Sequence, residues 1–133
     1  METTVFAFLM ESPLWTFYKQ EKKSYLGLTT GRYNGYVGFE GTLPQSRQGG
    51  ADYEDDNALD NQITVHGGIT FDGKFSKKSG LIPLTNIPED WYKYRIVGFD
   101  CAHWNDTEEN CSFEFTKEET LSLLKQIKEL INK

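Results

Sequence analysis

Cysteine is nearly missing from this 133-residue chain, and so are the features that mark several large protein classes. Its two cysteines, Cys101 and Cys111, make no disulfide framework. Both are expected to be reduced thiols in the cytoplasm, with a Cys101–Cys111 bridge as the lesser alternative. A basic excess is lacking too: 14 Lys and Arg face 20 Asp and Glu, for a net charge of −6. Displacing counterions from phosphates needs a cationic surface, so general nucleic-acid binding is not expected. A local cationic pocket stays open through Arg32, Lys74, Lys77, Lys78, Lys93 and Arg95. Long apolar runs are absent, because Val5 to Met10 is too short for a signal core or a membrane span. The start, Met1-Glu2-Thr3-Thr4, carries no basic region, so neither export nor membrane insertion is expected. There is no internal repeat and no long low-complexity tract.

What the chain does have is aromatic weight: nine Phe, seven Tyr and three Trp in a sequence that is 38% hydrophobic. Large rings bury much area per side chain, which argues for a folded chain rather than disorder. The length suits a single domain over 1–133, with enough of the unfolded surface buried to need no staples.

Residues 3–10 (TTVFAFLM) predict a buried strand, and 14–19 (LWTFYK) have strand composition. Residues 36–39 (YVGF) predict another strand, with Gly38 at a bulge or close approach. In 63–71 (ITVHGGITF), alternation places Ile63, Val65, Gly67, Ile69 and Phe71 on one face and Thr64, His66, Gly68 and Thr70 on the other. Residues 94–101 (YRIVGFDC) set Val97, Phe99 and Cys101 against Ile96, Gly98 and Asp100. Phe113 and Phe115 predict a short extended piece. A helix follows, with Thr116 as N-cap and Glu119 completing a capping box. Leu121, Leu124, Ile127, Leu130 and Ile131 form its apolar stripe. The expected fold is therefore α+β: a mostly antiparallel sheet of about four to six strands, with the C-terminal amphipathic helix packed on one face.

Residues 40–62 predict a loop carrying Asp52, Glu54, Asp55, Asp56 and Asp60. Such a cluster can hold a hard cation, but the spacing of a calcium loop is missing, and like-charged blocks usually face solvent. The chemistry is expected on two islands, His66-Gly67-Gly68 and Asp100-Cys101-Ala102-His103. Glycines beside an imidazole let a ligand approach the backbone, and a carboxylate and imidazole at a strand end can orient each other or hold a ligand. His66, Gly67, Gly68, Asp100 and His103 are the candidate ligand-binding residues, with Tyr36 among the flanking aromatics that can stack on a planar group. Alternatively, His66, Asp100, His103 and Asp106 form a divalent-metal set. Cys101 faces the apolar side, which disfavours it as a nucleophile. No cofactor and no catalytic residue is fixed by the sequence.

Several stretches together carry a resemblance: Gly35-Tyr36-Val37-Gly38, Tyr53-Glu54-Asp55-Asp56, Val65-His66-Gly67-Gly68-Ile69-Thr70-Phe71, and Gly98-Phe99-Asp100-Cys101-Ala102-His103 with Asp106. Over about residues 35–130 the chain resembles a family of small proteins common in bacteriophages and prophages. The resemblance implies a setting, the cytoplasm of an infected host, rather than an activity. It also implies that Thr can stand at the Cys101 position. In that setting the first expectation is a small-molecule-binding protein that sequesters a nucleotide-derived host immune signal, as a counter-defence device. The alternatives are a metal-dependent hydrolase using His66, Asp100, His103 and Asp106, and a protein inhibitor of a host factor acting through the acidic loop. A homo-oligomer remains open.

Overall fold

The computed structural model describes residues 3–21, 30–77 and 80–133. Lys78 and most of the polar and Gly-bearing stretch after Gln20 lie outside these. The elements are β1 (Val5–Glu11), α1 (Pro13–Glu21), β2 (Tyr33–Phe39), β3 (Phe71–Gly73), β4 (Ile82–Pro83), β5 (Arg95–Phe99) and α2 (Phe113–Ile131). They form one sheet in the order β3-β5-β2-β1-β4, with every pairing antiparallel. The expected α+β architecture is therefore present, with five strands and the C-terminal helix on one face.

One face of the sheet presents Ala7, Val37, Phe39, Val97 and Phe99, and α2 covers it with Leu123, Leu124 and Ile127. The helix comes close enough at Gly35 that a Cβ there would overlap the Thr120 hydroxyl and crowd the Phe99 ring. The other face is not left to solvent. Phe6, Phe8, Tyr36, Trp91 and Ile96 make a second core, which Phe71 of β3 flanks and Phe75, Leu81, Ile87 and Tyr94 cover from the loops. The register builds it: Phe6 stands opposite Gly38, and Tyr36 stands opposite Gly98. Each ring lies over the glycine across from it, where a Cβ would collide with the ring. Gly38 marks that close approach inside an unbroken ladder.

Four sequence expectations need correction. Residues 14–19 are helical: Pro13 takes the first helical position after Ser12, whose carbonyl accepts the Thr16 N–H at 3.0 Å, while its side chain accepts from the Trp15 N–H. That is a favoured start, and it overrides aromatic strand propensity. Residues 63–70 pair with no strand, and only Phe71–Gly73 joins the sheet. The alternation holds for the buried Ile63, Val65 and Ile69 and the exposed Thr64, but fails at Gly67, which is exposed, and at Phe71, which packs against the second core. The segment lies along α2, whose side chains replace a ladder partner: Gln126 Oε1 accepts the Thr64 N–H and Gln126 Nε2 donates to the Thr64 carbonyl, both at 2.8 Å. Glu119 Oε1 accepts the His66 N–H at 3.0 Å. Finally, α2 starts earlier than expected. Ser112 is the N-cap, Phe113 and Phe115 are already helical, and Thr116 is buried inside, donating to the Ser112 carbonyl at 2.8 Å. Glu119 is thus freed from a capping box to serve His66.

The acidic stretch is a solvated loop knitted around Arg47, whose guanidinium donates to the carbonyls of Tyr53 and Asp55. Asp52, Glu54, Asp55 and Asp56 are exposed. The loop is anchored by Asp72, which accepts from the Ser46 amide and hydroxyl and forms a two-pronged pair with Arg95 at 2.9 Å. Burial raises the Asp72 carboxyl, but the bonds from Arg95 and Ser46 outweigh it and hold its pKa below the ordinary carboxylate value. A depressed folded-state pKa contributes stability above the unfolded value, near 4, which is lost as pH falls through the folded one. Asp72→Asn is expected to destabilise the protein by about 2 kcal/mol near neutral pH. The gap between variant and parent should close below about pH 4 in urea titrations. A gap unchanged by acid would mean that charge is not what the pair contributes.

Candidate functional site

The two islands meet at the end of the sheet where β5 finishes. Val65-His66-Gly67-Gly68 makes a tight turn, closed by the Gly68 N–H on the Val65 carbonyl at 2.9 Å, with φ of +69° at Gly67 and +81° at Gly68. Asp100 to Asp106 form a second turn, in which Asp106 Oδ2 accepts the His103 N–H at 2.9 Å. The His66 and His103 rings stand 5.6 Å apart, nearly edge to face.

Each imidazole has its own carboxylate. His66 Nε2 lies 2.9 Å from Asp106 Oδ1. His103 Nε2 lies 3.0 Å from Asp100 Oδ1, and among the described residues this enclosed nitrogen has no well-aligned hydrogen-bond partner. It points at Gly67, where a Cβ would overlap it. The His66, His103 and Asp100 side chains keep a quarter to a third of their surface exposed, so solvent reaches the site.

Beneath His66 the structure adds what the sequence reading did not assign. Cys101 and Cys111, both free thiols and both buried, sit beside the His66–Asp106 pair. His66 Nε2 is 3.7 Å from Cys111 Sγ, and the ligand atoms of His66, Cys101, Asp106 and Cys111 all lie within 4.8 Å of one another. The buried Gly31 forms the inner wall, since a Cβ there would lie 2.7 Å from the Cys101 Cβ and 2.8 Å from that of Cys111. The structure divides the expected metal set between two clusters. His66 and Asp106 converge as expected, but Asp100 and His103 form a separate pair, and two thiols take their places. Cys101 was legible as a core residue from alternation. Cys111, ten residues on, had no local signal.

Electrostatics distinguish these groups. Burial raises the Asp106 carboxyl, but bonds from the His103 amide, the His66 ring and the Cys111 thiol outweigh it, so it stays ionised below the ordinary carboxylate value. Burial pushes both thiols up, and the neighbouring Asp106 charge adds to the rise. Neither thiol is an activated nucleophile.

Other candidates lie elsewhere. Tyr36 belongs to the aromatic core, its hydroxyl receiving a bond from Asn34 Nδ2 at 3.3 Å and its pKa raised by burial. Lys74, Lys93 and Arg95 line an open cleft of about 380 Å³ with Phe39 and Tyr94. Arg95 begins β5 and Asp100 follows its last residue. Five extended residues separate that cleft from the imidazoles by about 16 Å. Arg32 pairs with Glu11 and stacks on Trp15. Trp104, next to His103, is 83% exposed.

No protein-family model matches the chain, and no curated protein or solved structure matches it. Among the described residues, no helix is long and apolar enough to cross a membrane.

Proposed function

We propose that the chain is a metal-dependent hydrolase of a small polar substrate, acting at the end of β5. The observation that carries this reading is the meeting of two imidazole–carboxylate pairs, contributed by segments far apart in the chain, at a solvent-reachable edge. One pair, His66–Asp106, belongs with the thiols in a ligand cluster. The other, His103–Asp100, stands beside it with the composition of a proton-transfer pair. His103 takes a proton from the attacking water and returns it to the leaving group as the bond to that group breaks. Asp100 steadies the imidazolium formed between these steps.

The test is turnover by reduced, metal-loaded protein on a panel of chromogenic phosphate and carboxylate esters and cyclic nucleotides. His103→Ala is expected to lose about 10²- to 10⁴-fold in kcat, the usual contribution of a positioned acid–base group. Absence of turnover on every class by the loaded parent protein would end the hydrolase reading.

A second reading, capture of a nucleotide-derived signal without cleavage, is favoured by the exposed Trp104 beside His103, a face on which a base can stack. Lys74 and Lys93, which could meet a phosphate, line the cleft at the other end of β5, so this reading ranks second. Titration calorimetry with cyclic nucleotides and ADP-ribose derivatives separates the two: heat of binding without product favours capture, and its loss in Trp104→Ala locates the ligand. Nothing in the acidic loop's geometry favours the host-factor inhibitor.

A further inference from the structure

We infer that His66 Nε2, Cys101 Sγ, Asp106 and Cys111 Sγ form a zinc site, a four-ligand centre of two thiolates, one imidazole and one carboxylate assembled in the fold. The inference gives an ion and a full ligand set to the metal centre proposed above, and its test does not depend on turnover.

Tetrahedral zinc with bonds of about 2.0–2.3 Å sets ligand–ligand edges of about 3.3–3.8 Å. The 3.7 Å between His66 Nε2 and Cys111 Sγ matches such an edge. The 2.9 and 3.1 Å from that nitrogen to the two Asp106 oxygens are a hydrogen bond that opens by a few tenths of an ångström when an ion replaces the proton. Two thiols, an imidazole and a carboxylate suit zinc and exclude the hard cations, which take oxygen ligands.

The surroundings are those of a supported site. The His66 amide is fixed by Glu119, Asp106 Oδ2 by the His103 amide, and Cys101 Sγ lies 3.8 Å from the Thr116 hydroxyl. Such outer partners orient ligands. Thiols give up their protons to bind a metal as thiolates, so zinc binding releases protons. Four protein ligands close the coordination sphere, so hydrolysis requires one to yield its place to water. Asp106 is the one suited to yield, because its second oxygen already has an alternative hold on the His103 amide.

The decisive experiment is Co²⁺ titration of reduced, metal-stripped full-length protein, followed by Zn²⁺ competition. One equivalent of cobalt is expected to give a thiolate-to-metal charge-transfer band with tetrahedral visible bands, and zinc should bleach both. Cys111→Ser should remove most of the charge-transfer intensity and weaken binding by more than about 100-fold, beyond the 10–100-fold typical of outer-partner changes. Asp106→Asn should weaken binding while keeping the band. Circular dichroism of each stripped variant checks that the fold survives, and if Cys111→Ser fails to fold, Cys101→Ser takes its place. The inference is overturned if the reduced chain takes up neither ion, if cobalt binds without a charge-transfer band, or if the cysteine variants bind as the parent does. His103→Ala should retain the full cobalt spectrum, since its backbone N–H remains. A bound ion without turnover then sinks the hydrolase reading alone.

Discussion

Phe8→Ala is expected to remove about 3–5 kcal/mol of stability, the range for truncating a buried phenylalanine. Phe8 is fully buried, with its ring stacked on Tyr36 at 5.4 Å and edge-on to Trp91 at 5.1 Å and to Phe75 at 6.3 Å. It stands in the middle of β1 on the face that α2 does not cover. Tyr36 is held over Gly98 and cannot move freely into the space Phe8 leaves, so a large part of the cavity term should remain. A domain holds only about 5–15 kcal/mol in all, so a large share of that margin should go. Urea unfolding would read it as a lower midpoint with little change in slope. Tyr53→Ala, 84% exposed in the acidic loop, should stay within about 0.5 kcal/mol. A Phe8→Ala cost under about 1 kcal/mol would mean that this aromatic layer is a cover for the sheet and not a second core.

That layer also illustrates what was legible in the sequence. Strand β1 could be read from its apolar run, and strand β5 and the body of helix α2 from hydrophobic period, as could the split of Val97, Phe99 and Cys101 from Ile96. The aromatic layer escaped notice because its cover comes from loop residues, Phe75, Leu81 and Ile87, whose spacing follows no period. Helix α1 was misread on composition although Ser12-Pro13 carried its start signal. The stretch 63–70 was misread for a different reason. Burial against a helix and burial in a sheet leave the same alternation, and only the long-range bonds from Gln126 and Glu119 tell them apart. The two islands were legible, and Asp106 was named with His66 in the metal set, but its direct bond to that ring follows only from how the turn of 100–106 closes. The thiol pair was not, because Cys111 reaches Cys101 only through the turn of 102–110, and spacing says nothing of how a turn closes.

The second large effect is expected at Gly67, where backbone and side-chain requirements coincide. Gly67 and Gly68 both have positive φ, so alanine at either position should cost about 1–2 kcal/mol in backbone strain. They differ in what a methyl group would meet. At Gly68 there is open space, whereas at Gly67 it would overlap the His103 ring, 2.6 Å from Cε1 and closer still to Nε2. The ring can escape only by leaving Asp100 and turning toward solvent, away from His66. Gly67→Ala should therefore destabilise the protein by up to about 1 kcal/mol more than Gly68→Ala, the worth of the partly exposed His103–Asp100 contact that the ring gives up. It should also reduce kcat by at least about 10²-fold, because misplacing an acid–base group by about 1 Å costs that much. Cobalt binding should survive, since the three atoms nearest the added methyl all belong to His103 and none to a proposed ligand. The double variant Gly67→Ala/His103→Ala gives the sharpest reading. Once the ring is gone the methyl has room, so the extra destabilisation should vanish and leave only the strain shared with Gly68→Ala. If the two glycine variants prove equally stable, or if removing His103 restores nothing, then His103 does not rest against Gly67, and the proton-transfer pair loses the support that positions it.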